Sequence, residues 1–363
     1  MKATRASRQS ESVRGGSGPL RGAAVWTADE LRARPEWSHR LDTGEQAELR
    51  SLAELVDGDD AAPVVGGRGL DALSGRDLPL PTLARRLAVI REQLEHGTGA
   101  IRLRGFPVDG LSENQALVLY WALSVHLGTP VSQSASGLRI FSVRDAGFGQ
   151  ADPRARGPNT SKPLSFHTDR SDVVGFLCLR QAREGGENEI VSSMTLYNEI
   201  LASRPDLCDT LREPFYYLRH TVDTANDRPW CRQPVFSFRD EFFACCLLRV
   251  LIERAHKHPD LPDLTPRQIE ALDTVESIAT SDVRRVRFRQ EPGDIIWLNN
   301  WVVLHKRQSF RDWPEPERRR HILRVWLSMP NSRPIAPVFL DNYGAVDAGA
   351  IRGGMRRASR DVS

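Results

Sequence analysis

Two histidines and one aspartate have the residue types and the spacing of a metal centre. His167 and Asp169 are two positions apart, and residues i and i+2 of an extended strand point to the same side. His305 lies 138 positions beyond His167 (305 − 167), but strands distant in sequence become neighbours in a closed barrel. Two imidazoles and one carboxylate on one face of a metal, with the other face open, are typical of non-haem Fe(II) oxygenases. The pattern therefore predicts that His167, Asp169 and His305 bind iron.

A His-x-Asp pair alone is a weak signal, because a chain with nine histidines contains such pairs by chance. A second match, His258-Pro-Asp260, follows a predicted helix in a polar, proline-rich segment, and we do not expect it to bind metal. For His167 and Asp169 the structural alternative is a surface ion pair at the start of a strand. Zinc also accepts two histidines and a carboxylate, so a zinc hydrolase is a chemical alternative.

Two arginines in an apolar segment predict a binding site for an anion. Strand alternation places Arg320 and Arg324 on one face together with Ile322 and Trp326. Arginines that face a barrel interior are costly unless an anion pairs with them. A dicarboxylate would be such a partner, since the planar guanidinium binds carboxylates with two parallel hydrogen bonds. The alternative is that both arginines lie on a solvated strand face.

The strands and helices predicted around these residues indicate a mainly β protein with flanking helices. Short strands bounded by turn residues are predicted at residues 100–104, 173–179, 190–193, 286–288, 295–299 and 320–329. Helices are predicted at residues 83–95 and 112–127, at 239–256, and from Thr265, where Gln268 completes a capping box. We expect a β-barrel or double-sheet jelly roll with an N-terminal helical region and a helical insertion at about 239–280.

The chain is expected to form one domain at residues 23–337. Residues 1–22 are rich in Arg, Ser and Gly and are expected to be a disordered tail, and residues 338–363 a C-terminal tail. Residues 139–163 form a long loop that ends at the predicted metal site, so we expect it to cover that site. This first loop contains Arg144, Arg154 and Arg156, and a second loop at 219–234 contains Arg228, Trp230 and Arg232. Together these residues indicate an anionic substrate.

Composition argues against several classes of protein. The net charge is +3, and no basic stripe with interleaved aromatic residues is present, so no nucleic-acid partner is expected. No apolar run approaches the roughly 20 residues that span a membrane, and the N-terminus lacks a signal-peptide core, so a cytoplasmic enzyme is expected. The five cysteines form no C-x-x-C pair and are expected to be reduced and buried. The pattern does not indicate the oligomeric state.

Four motifs together resemble one known family. Phe-His-Thr-Asp at 166–169, Gly-Gly-Glu-Asn at 185–188, Leu-His at 304–305 and the arginine-rich segment at 314–324 are similar to the taurine dioxygenase (TauD/TfdA) family of Fe(II)- and 2-oxoglutarate-dependent oxygenases. The resemblance covers about residues 95–330. It implies a double-stranded β-helix, and it implies that His167, Asp169 and His305 hold Fe(II).

The resemblance also implies how the cosubstrate binds. Arg320 would pair with the distal carboxylate of 2-oxoglutarate, and Arg324 would lie near the cosubstrate or a substrate anion. The family often has threonine at the position of Asn188, where the hydroxyl contacts the carboxylate next to the iron. Asparagine can donate a hydrogen bond in the same place, so we expect Asn188 to bind the cosubstrate.

The implied reaction uses 2-oxoglutarate and O₂ to oxidise a C–H bond of a small, anionic organic substrate, with release of succinate and CO₂. Hydroxylation is the expected outcome, although desaturation or ring formation would use the same residues. Asp169 is retained, which argues against a halogenase. The alternatives are the zinc hydrolase on the same ligands and a catalytically inactive barrel that serves as a binding module.

Overall fold

Residues 18–58, 62–148 and 157–356 are described by a computed structural model. The α-helices of these ranges are α1 (Ala28–Ala33), α2 (Thr43–Ala53), α3 (Leu83–His96), α4 (Glu113–Leu127), α5 (Ser193–Ser203), α6 (Pro205–Arg212), α7 (Arg249–Ala255), α8 (Pro266–Ala279) and α9 (Leu340–Tyr343). The strands are β1 (Ser38–Arg40), β2 (Val64–Val65), β3 (Arg68–Gly69), β4 (Ala100–Arg104), β5 (Thr129–Pro130), β6 (Ile140–Val143), β7 (Val173–Arg180), β8 (Glu184–Gly185), β9 (Asn188–Ser192), β10 (Phe215–Leu218), β11 (Trp230–Gln233), β12 (Phe236–Arg239), β13 (Phe242–Cys245), β14 (Val286–Phe288), β15 (Ile295–Asn299), β16 (Val303–Arg307), β17 (Phe310–Arg311) and β18 (His321–Ser328).

The larger sheet has the strand order β1-β4-β15-β7-β18-β5, with β6 also paired to β18. Its pairs are antiparallel except for β1 with β4. The central strands β7, β15 and β18 are almost wholly buried, because other layers of the fold cover both faces of this sheet. This burial explains why these strands have nearly continuous apolar sequences.

The smaller sheet has the order β14-β9-β16 and faces the larger one across a shared core. A short bridge at His167 extends it: His167 and His305 exchange backbone N–H···O hydrogen bonds of 3.0 Å in both directions. On the other side of the bridge, the Thr168 N–H donates to the Leu247 carbonyl at 2.8 Å. The two facing sheets confirm the predicted mainly β jelly roll.

Helices α3 and α4 cover the outer face of the larger sheet. Leu87 and Ile90 of α3 share an apolar cluster with Leu119 of α4 and with Leu177 and Leu323 of the sheet. Both helices were predicted, and α4 begins with the expected capping box between Ser112 and Gln115. No helix within the described ranges is long and apolar enough to cross a membrane.

The prediction of one helix over residues 239–256 was wrong. Strands β12 and β13 form an antiparallel hairpin there, and only α7 is helical. The turn uses Asp240 in a left-handed conformation (φ 53°), which aspartate tolerates better than most residues. Long-range pairing decides the conformation, since Cys245 donates its N–H to the carbonyl of Trp301. Apolar periodicity over so short a segment does not distinguish a helix from a strand.

The five cysteines are all free and buried, as predicted, but Cys245 and Cys246 are not helical. Burial raises the pKa of the Cys231 thiol to about 12, so this group is protonated at neutral pH. Cys178 lies in β7, the apolar strand where it was expected.

The segment at 338–356 is packed against the fold, so its prediction as part of a tail was wrong. Phe339 and Tyr343 are buried, and Arg352 pairs with the equally buried Asp172 at 2.7 Å. Backbone hydrogen bonds from Gly354 to Arg170 and from Met355 to Ser132, both 2.7 Å, hold the end of this segment. Residues 357–363 lie outside the described ranges.

The predicted N-terminal tail at 1–22 lies mostly outside the described ranges, which begin at residue 18. Leu20 exchanges hydrogen bonds with Asn198 of α5, so the last part of this segment is attached to the fold. The domain boundaries at 23 and 337 otherwise remain predictions.

Candidate metal centre

His167, Asp169 and His305 meet at one point between the sheets. Each offers a ligand atom, and these atoms lie within 4.8 Å of one another. The two imidazole rings have centroids 4.3 Å apart, and His305 Nε2 lies 3.5 Å from Asp169 Oδ2. Among the described residues, these three side chains form the one group of histidines, cysteines or acidic residues that could hold a metal ion. The second His-x-Asp pair is not part of it.

Local hydrogen bonds orient the ligands. The His167 Nδ1 lies 2.9 Å from the Ser165 carbonyl, which can only accept, so Nδ1 carries the proton and Nε2 is free for a metal. The Asn300 Oδ1 accepts the Asp169 N–H at 2.9 Å, and the Asn300 side chain donates to the Ser171 carbonyl at 3.0 Å. Asn300 therefore fixes the turn that carries the carboxylate.

The electrostatics favour the protonation states that a metal needs. Burial, with a smaller contribution from His305, lowers the pKa of His167 to about 4. Burial acts to raise the pKa of Asp169, but Arg324 and His305 outweigh it, and the net shift is downward. At neutral pH, His167 is thus a neutral imidazole that keeps the proton on Nδ1, and Asp169 is an ionised carboxylate. Asp169 Oδ2 and His305 Nδ1 are buried without a hydrogen-bond partner among the described residues. An unpaired carboxylate oxygen at this position is available to bind a cation.

A cavity beside His167 and His305 fits the predicted cosubstrate. It is lined by residues that include Phe176, Asn188, Gln290, Arg307, Arg320 and Arg324. Arg320 is only 3% exposed, and its Nε and Nη1 have no partner among the described residues. Burial lowers its pKa to about 10. An unpaired buried cation fits a carboxylate, since pairing would satisfy both its charge and its N–H groups.

Arg324 lies closer to the metal ligands and already has protein partners. Its Nε donates to Gln133 Oε1 at 2.7 Å, and its Nη1 lies 3.3 Å from Asp169 Oδ1. Burial lowers the pKa of Arg324, while Asp169 opposes this shift. Both arginines face the interior, so the alternative of a solvated strand face is contradicted.

Asn188 lies in the same cavity, where its Nδ2 donates to Gln290 Oε1 at 3.0 Å. It is directly opposite Arg307 on the neighbouring strand. Its role as a cosubstrate ligand remains a prediction.

A second cavity, of about 280 Å³, adjoins the first and shares Leu164, His167 and Arg324 with it. Its lining includes His167, Asp169, Leu248, Arg254, Trp326 and Met355. The loop residues expected to bind substrate do not line either cavity where they are described. Arg144 pairs with Glu113, Arg228 and Arg232 stack on aromatic rings, and Trp230 contacts Tyr216. Arg154 and Arg156 lie outside the described ranges.

Several residues of the site were missed in the sequence. Arg307 could have been found, because it is two positions after His305 and the i+2 rule places both on one face. Gln133, Asn300 and Met355 carry no local signal, since long-range contacts alone bring them to the site.

The facing sheets, the ligand cluster and the unpaired buried arginine define an Fe(II)- and 2-oxoglutarate-dependent dioxygenase. The family model described as "Taurine catabolism dioxygenase TauD, TfdA family" matches residues 62–326, and the chain belongs to that family. The resemblance predicted from the motifs is confirmed. Neither the zinc hydrolase nor the inactive barrel is supported.

Two curated relatives align over most of the chain. FR-33289 synthase of Streptomyces rubellomurinus is 30% identical over 326 residues, which are 87% of this chain and 92% of the relative. Taurine hydroxylase-like protein SAT17 of Stachybotrys chartarum is 27% identical over 323 residues, 83% of this chain and 80% of the relative.

Solved structures share the fold. Asparagine oxygenase in complex with Fe(II), 2S,3S-3-hydroxyasparagine and succinate has a TM-score of 0.59 at 22% identity, covering 80% of this chain and 93% of its own. The oxygenase OrfP with Fe, succinate and (3S)-hydroxy-L-Arg has a TM-score of 0.58 at 17% identity, covering 80% and 94%. The fold is thus the double-stranded β-helix of these oxygenases.

Proposed function

We propose that this enzyme hydroxylates a C–H bond of a small organic substrate that carries an anionic group, and releases succinate and CO₂. The observation that carries the proposal is the meeting of two cavities at His167 and the other metal ligands. One cavity contains an unpaired buried arginine, and the other has walls of both apolar and charged residues.

Each residue of the first cavity has a proposed role. His167, Asp169 and His305 hold Fe(II), with Asn300 keeping the carboxylate in place. Arg320 binds the distal carboxylate of 2-oxoglutarate, and Asn188 lies where it can donate to the carboxylate nearer the metal. Bound iron and 2-oxoglutarate together supply the activation of O₂ and the oxidation of a C–H bond.

The second cavity supports a substrate with an apolar body and an anionic end. Leu248 and Trp326 provide apolar wall, and they exclude water from the reacting bond. Arg324, buried beside Asp169, and the exposed Arg254 both line this cavity, so cationic groups are available to an anionic end of the substrate. The solved asparagine oxygenase and OrfP hold hydroxylated amino acids, and an amino acid or another carboxylate fits this cavity by the same chemistry.

Anaerobic titration with Fe(II) and 2-oxoglutarate tests the cofactor roles. We expect a weak metal-to-ligand charge-transfer band that is lost in His167→Ala and weakened in Arg320→Ala. His258→Ala is the matched control, since it removes the other His-x-Asp histidine, and its band should be unchanged. A band that survives His167→Ala would contradict the ligand assignment.

Substrate-dependent formation of succinate tests the substrate class. With the charge-transfer band established, a panel of carboxylates and amino acids should contain substrates, while analogues of equal size whose carboxylate is replaced by a neutral or cationic group should not be turned over. Turnover restricted to compounds without an anionic group would refute the anionic class and leave the cofactor assignment intact.

A further inference from the structure

The distal end of the cosubstrate cavity contains a second arginine that the motifs do not assign. Arg307 is 5% exposed and lines this cavity with Arg320. Both guanidinium groups lie over the ring of Phe310, with Cζ 4.8 Å (Arg307) and 5.1 Å (Arg320) from its centroid. The two cations therefore converge on one place.

Neither guanidinium bonds to a carboxylate within the described ranges. Arg307 Nη1 is buried without a hydrogen-bond partner there, as are Nε and Nη1 of Arg320. The nearby Asp312 accepts the backbone N–H of Arg320 instead, at 2.8 Å. Two converging cations with unused N–H groups need an anion, because unpaired buried charges are strongly unfavourable.

The position of Arg307 on its strand matches the length of the cosubstrate. Arg307 follows His305 by two residues on β16, so both side chains project to the same face. Two residues of strand span about 6.8 Å, which is close to the separation between the two ends of 2-oxoglutarate. Asn188, opposite Arg307, projects into the same cavity.

Arg307 also holds a segment that forms part of both cavities. Its Nη2 donates to the carbonyl of Thr160, at 2.8 Å, and to that of Lys162. The Leu164 N–H in turn donates to the Arg307 carbonyl at 2.9 Å. Pro158 and Leu164, which flank these contacts, line the cosubstrate cavity and the substrate cavity.

We infer that Arg307 is a second ligand of the cosubstrate's distal carboxylate and connects cosubstrate binding to residues 157–164 beside the substrate cavity. This inference rests on the proposed function, because it requires 2-oxoglutarate in this cavity. One carboxylate oxygen would accept from Arg320 and the other from Arg307 Nη1. Arg307 Nη2 would keep its bonds to Thr160 and Lys162 of the segment.

A comparison of two ligands isolates the contact. 2-Oxoglutarate and 2-oxovalerate share the keto-acid end, but 2-oxovalerate ends in a methyl group where 2-oxoglutarate has the distal carboxylate. Each is titrated anaerobically into the Fe(II) protein and followed by charge-transfer absorption. For Arg307→Gln we expect about tenfold or more weaker binding of 2-oxoglutarate, because a charged hydrogen bond is lost, and little change for 2-oxovalerate.

Two further variants control for folding and surface charge. Arg311→Gln removes an exposed arginine from the adjacent strand, where it pairs with Glu184, and should leave both affinities unchanged. Arg307→Lys keeps the positive charge and should bind 2-oxoglutarate better than Arg307→Gln does. Unchanged binding of 2-oxovalerate in the Arg307 variants shows that the iron site is intact.

Hydrogen–deuterium exchange provides the second readout. 2-Oxoglutarate should slow amide exchange in residues 157–164 of the wild type and of Arg311→Gln, but not of Arg307→Gln. If Arg307→Gln loses affinity equally for both ligands, or loses affinity for neither, the inference is overturned. If the wild type itself fails to bind 2-oxoglutarate, the proposed function fails instead.

Discussion

Asp169 and Asp172 are both buried, three residues apart, yet their surroundings differ. Asp172 accepts hydrogen bonds from Trp301 Nε1 (2.9 Å) and Arg352 Nε (2.7 Å) on one oxygen and from the Met329 N–H (2.8 Å) on the other. Asp169 lies 3.3 Å from Arg324 Nη1 and 3.5 Å from Nε2 of the other proposed metal ligand, His305, and its Oδ2 has no hydrogen-bond partner among the described residues. Asp172, whose two oxygens both accept hydrogen bonds, stabilises the fold. Asp169, which has an oxygen without a hydrogen-bond partner, is available for a ligand.

The arginines show the same difference. Arg352 is fully buried, and its Nε, Nη1 and Nη2 all donate to protein oxygens. Arg320 is as deeply buried but has two unused nitrogens. A buried charge that is fully paired therefore indicates a structural role in this protein, and one that is partly paired indicates a binding site.

The largest expected effect separates the two aspartates. Asp169→Ala should reduce activity by about 10³-fold or more, because the metal ligands act as a unit. Relative to the metal-free wild type, its stability to urea should fall much less than that of Asp172→Asn, because Asp169 contacts Arg324 only at 3.3 Å, and Arg324 keeps its bond to Gln133. Succinate formation and urea unfolding of metal-free protein measure the two quantities. A large loss of stability would place Asp169 in the same structural class as Asp172.

Asp172→Asn should have the opposite profile. Removal of one partner of a buried ion pair leaves Arg352 unpaired and costs about 3–5 kcal/mol of unfolding free energy. The double variant Asp172→Asn/Arg352→Met should recover part of this loss, because it removes the unpaired charge as well. Urea unfolding of the single and double variants measures both; a double variant no more stable than Asp172→Asn would contradict the explanation.

A smaller effect, on Fe(II) affinity, is expected for Asn300, which holds the turn that carries Asp169. Asn300→Ala removes the acceptor of the Asp169 N–H and should weaken Fe(II) affinity by about 10–100-fold, as outer-shell partners of metal ligands do. Asn300→Asp keeps an acceptor oxygen and should retain more of the affinity. Competition with a metal chelator measures the difference, and equal losses in both variants would argue against the positioning role.

The last expected effect is a dependence of stability on pH. Burial, then Arg144 and Arg180, lower the pKa of His321 to about 3, so this histidine stays neutral in the folded protein. The unfolded chain binds a proton near pH 6.5, so stability is lost as pH falls from about 6.5 towards 3, by at most about 1.4 kcal/mol per pH unit. His321→Gln should flatten this slope in urea unfolding; an unchanged slope would show that other groups cause it.

Much of the site could be predicted because its signals are local. His167 and Asp169 follow strand alternation, and the same rule places Arg320 and Arg324 on the inner face. His305 was proposed as the second histidine ligand across 138 positions, and the Leu-His motif at 304–305 supported it as part of the family resemblance. The helices α3 and α4 were predicted from their 3.6-residue periodicity and capping residues.

The remainder depends on contacts between distant segments. The hairpin at 236–245 is determined by pairing and by backbone bonds to Trp301, which periodicity does not encode. Residues 338–356 were predicted as part of a tail, but buried aromatic residues, the Arg352–Asp172 ion pair and backbone hydrogen bonds to Arg170 and Ser132 hold them on the fold. Gln133 supports Arg324 across 191 positions, so no pattern around either residue predicts the contact.

The packing of residues 338–356 has a consequence for the order in which the enzyme is assembled during synthesis. Every proposed ligand of iron and cosubstrate has been translated once Arg324 is made. Met355, which forms part of the wall of the substrate cavity, is made 31 positions later (355 − 324). A nascent chain thus contains a complete set of iron ligands before Met355, the last residue of the wall that confines the substrate, has been made.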